Sequence, residues 1–197
     1  SRFARVFSGR IGTTLFVNDS NYVKQLPSKD IIKTVYVDGY FIESINQALF
    51  NETAGLIQPF LRNSVSQIRF KSICVIHIRG GDFIKLGWAP NGLDLFYKQA
   101  VEQVLQKSPL IKFVVVTDDK VYAANLLDRI GVIAVVQQGT IEEDFNLIRS
   151  AGQAIISNST FAFWAATFRE NVDGKSSTIV PTVWRPGVSR QLKLHSE

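Results

Sequence analysis

From residue 71 to residue 184 the chain alternates between two hydrophobic periods. Near-continuous apolar, mostly β-branched runs stand at "ICVIHI" (73–78), "KFVVVT" (112–117), "GVIAVV" (131–136), "QAIIS" (153–157) and "STIV" (177–180). A run that is apolar at odd and even positions alike has no polar face to turn to water, so it reads as a strand covered on both sides. Helix-period segments lie between the runs. Over 93–107, Leu93, Phe96, Tyr97, Ala100 and Val104 share a face. Over 120–130, Val121, Ala124, Leu127 and Ile130 recur at three-residue steps, and over 142–151 Phe145, Ile148 and Ala151 do the same. Strands alternating with helices over short connections make βαβ units and a parallel sheet, so the expected fold class is α/β.

Residues 1–70 follow a different pattern. They hold one clear strand, "KTVYV" (33–37), and an amphipathic stretch over 41–62 that Gly55 and Pro59 are expected to interrupt. The expected division is a partial or trimmed N-terminal α/β segment at 1–70 and a complete sheet domain at 71–197. With 46% hydrophobic and 20% charged residues, the composition is that of a folded chain. No apolar run approaches the about 18 residues that span a bilayer, and "SRFARVFSGRIG" lacks the apolar core of a signal peptide. The single cysteine, Cys74, has no partner for an internal disulfide, which favours a reducing compartment. The expected location is cytoplasmic, with membrane association only through upstream segments or a lipid-linked acceptor. The net charge of +5 comes from Lys and Arg scattered singly rather than clustered, so no nucleic-acid partner is expected.

In an open parallel sheet, ligands gather outside the carboxyl ends of the strands. Here the runs end in "RGGDF" (79–83), "TDD" (117–119), "QQGTIEED" (137–144) and "SNSTFAFW" (157–164). Arg79, at the end of a buried strand, needs an anion, which is either Asp82 three residues on or the phosphate of a ligand. Gly80 and Gly81 let backbone come close without a Cβ. His77 by itself reads as a hydrogen-bonded strand-end histidine. Asn158, Ser159 and Thr160 precede an apolar helix and either cap it or, with its free N–H groups, hold a phosphate at the positive end of its dipole. Asp118, Asp119, Glu142, Glu143 and Asp144 are carboxylates suited to accept from a guanine edge or to begin helices. No G-x-S-x-G elbow, G-x-x-x-x-G-K-[ST] loop or G-x-G-x-x-G turn occurs. Two histidines far apart, at 77 and 195, and one cysteine give little basis for a metal site. The "NDS", "NET" and "NST" triplets read as ordinary polar sequence in a reducing compartment.

Taken in order, "VDGYFIESINQALF", "HIRGGDF", "LFYKQAVEQV", "FVVVTDD" and "EEDFNLIRSAGQAIISNSTFAFWAA" resemble the α-1,2-fucosyltransferase family, over about residues 35–170. That family shows G-Y-F-Q-[SD], H-x-R-R-G-D-Y, Y-Y-x-x-A-[IV], F-x-[IV]-F-S-D-D and a segment ending N-S-[ST]-F-S-W-W. The resemblance implies two Rossmann-like domains of the GT-B type, residues 71–197 being the donor-binding one, and an inverting transfer of fucose from GDP-fucose without a metal or other cofactor. It implies that Arg79 meets the diphosphate and stabilises the leaving GDP. His77 and Asp144 would hold the guanine, and Ser159, Thr160 and Phe161 the phosphates, with Asp118 and Asn158 also on the donor side. Asp82 is the nearest candidate for the general base. Three departures stand out: Gly80 replaces the second arginine, "FAFW" replaces F-S-W-W, and the N-terminal G-G-L-G-N-Q segment is missing. The expected function is transfer of fucose to a galactose-containing oligosaccharide in α-1,2 linkage. The alternative is a nucleotide-sugar- or glycan-binding domain of the same fold that transfers nothing.

Overall fold

The computed structural model describes residues 9–11, 14–18, 34–38, 47–62, 70–169, 176–190 and 193–194. The chain divides into two compact units, Ser1–Glu52 and Thr53–Glu197. The division falls well before the 70/71 boundary that composition suggests, inside helix α1 (Gln47–Arg62).

In the first unit, strands β1 (Gly9–Ile11), β2 (Thr14–Asn18) and β3 (Thr34–Asp38) form a sheet in the order β1-β2-β3. β1 and β2 are antiparallel, whereas β2 and β3 run parallel with Thr14 opposite Thr34. Residues 39–46, which include the whole "GYFIES" segment, and His195 lie outside the described residues.

α1 does not break at Gly55 or Pro59, contrary to the expectation from sequence; both stand inside one 16-residue helix. Pro59 removes one N–H from the ladder and crowds the carbonyl one turn earlier. It stands so near the C-terminal end that only the last turn loses a bond, and Gly55 carries no side chain on that turn.

The second unit is built on a five-stranded sheet in the order β6-β5-β4-β7-β8, and every pairing in it is parallel. Its strands are β4 (Phe70–Ile78), β5 (Lys112–Thr117), β6 (Val135–Val136), β7 (Ala151–Ile155) and β8 (Ser177–Ile179). The crossovers carry α2 (Gly81–Lys85), α3 (Leu93–Lys107), α4 (Lys120–Ile130), α5 (Ile141–Ser150) and α6 (Thr160–Thr167). A hairpin of β9 (Val183–Arg185) and β10 (Val188–Ser189) follows. The α/β class and parallel sheet read from the two periods are therefore observed. From β4 the chain winds outward through β5 and β6, then returns to the other side of β4 with β7 and β8. The winding reverses between β4 and β7, which is where an open α/β sheet leaves a crevice at its carboxyl edge.

Burial explains why the strands are apolar throughout. Cys74 to Ile78 are all buried. One set, Cys74, Ile76 and Ile78, packs with Leu93, Tyr97, Val101 and Val104 of α3 and with Ala123, Leu126 and Leu127 of α4. Each such aliphatic side chain contributes about 2 kcal/mol by leaving water. Cys74 is buried to 0% exposure, and that burial pushes its thiol up to about 12, so it packs as a small apolar group. α5 packs against α6 and against β4.

Two sequence readings change here. Leu127 and Ile130 face the core as expected, but Val121 and Ala124 are exposed, and Ala123 and Leu126 complete the face instead. Steps of three drift about 60° each around a 3.6-residue helix, so the three steps from Val121 to Ile130 cannot stay on one face. The run at 131–136 yields only two strand residues, because α4 ends on Gly131 in the left-handed region (φ 70) and the chain needs 131–134 to return to the sheet edge.

Candidate active site

Because every strand of the larger sheet is parallel, the four polar strand ends lie along one edge. At the reversal point, β4 delivers His77, Arg79 and the two glycines, and β7 delivers Ser157 to Thr160 just before α6.

Arg79 is the central cation. Its Nη2 is 2.7 Å from Asp82 Oδ1 and its Nη1 is 2.7 Å from Asp118 Oδ2, while a third of its side chain stays exposed, 34%. Asp82, the anion that the sequence offers it, is therefore engaged, and Asp118, which sequence reading did not pair with it, is engaged as well. Asp118 also accepts from the Gly80 N–H through Oδ1, at 2.8 Å. Asp119 accepts from the Gly81 N–H at 3.3 Å and from the Tyr122 N–H at 3.0 Å, so it caps α4 and grips the neighbouring turn at once. Those N–H groups, Tyr122 first and Gly81 second, hold the Asp119 carboxyl below the usual range. The "RGGD" turn and the "TDD" turn are thus fastened together through two carboxylates.

The glycines are required by that contact. A Cβ on Gly80 would lie 2.6 Å from Asp119 Cβ and 3.1 Å from the Tyr122 ring, and Gly81 sits at φ +47 with Asp118 Oδ2 2.8 Å from where a Cβ would be. An arginine at position 80 has no room while Asp119 holds this place.

His77 is buried, sharing a 2.8 Å hydrogen bond between Nδ1 and Ser157 Oγ, and its carbonyl accepts from the Tyr97 hydroxyl at 2.9 Å. Its ring lies 6.0 Å from that of Phe161, which meets Phe145 edge-on at 5.6 Å. A row of rings therefore runs from β4 across α6 to α5 beside Arg79. Burial first, and the Arg79 charge second, lower His77 from 6.5 to about 3, so it is neutral at physiological pH. In the unfolded chain a histidine takes up its proton near 6.5, so the stability from neutral His77 is complete above that pH and is lost as pH falls toward 3. The loss has a limiting slope of about 1.4 kcal/mol per pH unit. Urea midpoints measured from pH 7 down to pH 5 are expected to fall for the wild type and to fall less for His77→Asn; equal slopes would show that His77 takes up its proton in the folded state.

On α5, Thr140 and Glu143 form a reciprocal cap: the Thr140 N–H donates to Glu143 Oε2 at 2.7 Å and the Glu143 N–H donates to Thr140 Oγ1 at 3.2 Å. That leaves Asp144, next to Phe145, with a buried Oδ1 that has no hydrogen-bond partner among the described residues. Burial, then the Glu143 charge, raises the Asp144 carboxyl.

The residues at the start of α6 have separate duties. Ser159 caps the helix, its hydroxyl accepting from the Ala162 N–H at 3.5 Å; Thr160 is the first helical residue and Phe161 the second. Asn158 is turned into the fold. It is 3% exposed and its amide N–H₂ donates to the carbonyls of Trp184 and Trp88, tying the β9 strand and the loop after α2 to the end of β7. Of the candidates from sequence, Arg79, Asp82 and Asp118 are in direct contact, His77 and Phe161 face each other, and Asp144 lies one residue from the ring that extends their row. Sequence reading passed over Ser157 as a partner of His77 and Asp119 as a clamp. Ser157 looked like the polar end of an apolar run, and nothing local marks its partner 80 residues away.

Residues 16–185 match the profile of glycosyl transferase family 11. The chain belongs to that family. An α-1,2-colitosyltransferase of Escherichia coli, related to this family member by sequence, is 30% identical over 125 residues. The match takes in 59% of this chain and 42% of the relative, so the chain spans less than half of that relative's length. Among solved structures, POFUT1 in complex with GDP aligns with a TM-score of 0.41 at 10% identity, over 66% of this chain and 46% of that one. POFUT1 in complex with GDP-fucose aligns with a TM-score of 0.40 at 13% identity, over 68% and 46%.

Proposed function

We propose that this chain carries the donor side of a fucosyltransferase that moves fucose from GDP-fucose to a galactose-containing glycan in α-1,2 linkage, with inversion and without a metal. Family membership supports the transfer of a sugar. The name of the E. coli relative supports an α-1,2 linkage and a related sugar. The observation that carries the reading is Arg79, a guanidinium kept partly exposed at the end of the strand where the winding of the sheet reverses.

In this reading residues 71–197 bind the donor and residues 1–70 belong to the acceptor side. The buried, unpartnered Oδ1 of Asp144 accepts from the guanine edge, and the row His77, Phe161 and Phe145 lines the base. Ser159, Thr160 and the first N–H groups of α6, including that of Phe161, face the phosphates. The acceptor hydroxyl oxygen attacks the anomeric carbon as the bond to the β-phosphate oxygen breaks. The electron pair moves onto GDP, where Arg79 stabilises it, and the hydroxyl proton passes to Asp82. Preorganised cations and N–H dipoles in this position are the usual source of such stabilisation.

The second reading, binding without transfer, rests on Gly80. Where the resembled family carries a second arginine, the packing of Asp119 leaves no space for one, so the diphosphate meets one guanidinium fewer. A donor screen with GDP-fucose, GDP-mannose and UDP-sugars, in the presence of galactosides, separates the two. Release of GDP from GDP-fucose alone is the expected result. GDP binding by calorimetry without release from any donor would support the second reading.

A further inference from the structure

The two carboxylates on Arg79 are not equivalent. Asp118 is held at both oxygens, one by Arg79 and the other by the Gly80 N–H at 2.8 Å, and its side chain is 30% exposed. Asp82 touches Arg79 through a single oxygen at 2.7 Å and its side chain is 67% exposed. One partner is built into the joint between two turns, and the other rests on the guanidinium from the solvent side. Counting Arg79 with the two carboxylates that touch it, the cluster carries a net charge of −1 (one positive, two negative), so Asp82 in its place opposes an incoming diphosphate.

We propose that Asp118 is the fixed positioning residue of Arg79 and that Asp82 is an exchangeable one, its carboxylate occupying the edge of the guanidinium that the anionic diphosphate takes over. A carboxylate and a phosphate present the same paired oxygens to a guanidinium fork, so the exchange replaces one charge-assisted contact by another of like geometry. The exposed Asp82 pair is the weaker of the two, because solvent screens it and no second bond among the described residues fixes the carboxylate. Release of Asp82 also frees its oxygens at the moment the donor is seated, which is when a base is needed. The inference rests on the proposed donor site.

Calorimetry on the full chain tests it with two probes, GDP and guanosine. Asp82→Asn keeps the shape and removes the competing charge, so GDP is expected to bind about fivefold more tightly than to wild type, a gain of the size that one exposed ion pair supplies. Guanosine, which brings no phosphate, is expected to bind both proteins equally. Asp118→Asn is expected to weaken GDP binding while leaving guanosine unchanged, with retention of the melting temperature confirming that the sheet is intact. Should Asp118→Asn fail to fold, the Asp82→Asn comparison decides alone. Unchanged or weaker GDP binding by Asp82→Asn overturns the exchange, as does equal tightening for guanosine. If the wild type binds guanosine but not GDP, the diphosphate seat itself is refuted; if it binds neither, the donor site falls before the exchange is reached.

Discussion

Replacing Arg79 by alanine is expected to lower turnover about 10²- to 10³-fold, the range seen when one preorganised stabiliser of a developing charge is deleted. In the proposed reaction the guanidinium is the group at the reversal point whose charge meets the leaving diphosphate. Its removal also leaves Asp82 and Asp118 facing that diphosphate with nothing between them. The loss belongs to the chemical step, since the negative charge grows as the glycosidic bond breaks. Folding is expected to change little, because ion pairs as exposed as these contribute about 0–1 kcal/mol. Arg79→Lys is expected to recover only part of the rate: an ammonium is a point charge and cannot engage Asp118 and a phosphate through separate N–H edges. Initial rates of GDP release, set beside thermal melts of the same preparations, check the pair of expectations. Turnover close to wild type in Arg79→Ala would remove Arg79 from the mechanism.

The largest effect on stability is expected at the other end of the sheet. Arg169 is 6% exposed and donates to three backbone carbonyls, those of Ile148 and Ala151 at 2.8 Å and that of Gly152 at 3.1 Å. It closes the turn from α5 into β7, where the last carbonyls of a helix have no partners of their own. Burial lowers the guanidinium to about 10, so it stays charged at neutral pH and its donors remain in place. Arg169→Met keeps much of the volume and removes every donor. Stranding buried carbonyls costs about 1–3 kcal/mol each, so a loss of about 3–5 kcal/mol is expected after partial relaxation. In a chain of this size that corresponds to a melting temperature lower by roughly 10 °C. Because the damage lies at the amino edge of β7, GDP affinity measured well below the melting point is expected to stay as in wild type. A melt within 2 °C of wild type would show that water replaces the lost donors.

Set side by side, the two expectations divide the sheet into a chemical edge and a structural edge, and sequence spoke unequally about them. The parallel sheet, its order of strand and helix and the polar character of its carboxyl edge were all legible. A strand buried on both faces must be apolar at every position, and a loop that meets a ligand must not be. The spans of α3, α4 and β5 follow from period alone. Arg79 stood out because a cation ending an apolar run demands an anion. Arg169 did not, for its partners are carbonyls, which leave no trace in side-chain identity.

What sequence could not decide was the choice among partners. Sequence offered Arg79 only Asp82 or a ligand phosphate; Asp118 became its second partner because the parallel pairing of β4 with β5 brings the "TDD" turn beside the "RGGD" turn. The same pairing leaves no room for a side chain at Gly80. Asn158 was indistinguishable from a ligand-facing cap until the hairpin and the loop after α2 supplied the carbonyls that turn its amide inward. Local composition dictates which segments must be buried and which must be polar, because burial is a property of each segment. Pairing between segments depends on which turns the closed sheet sets next to one another, and that is settled only when the chain has folded.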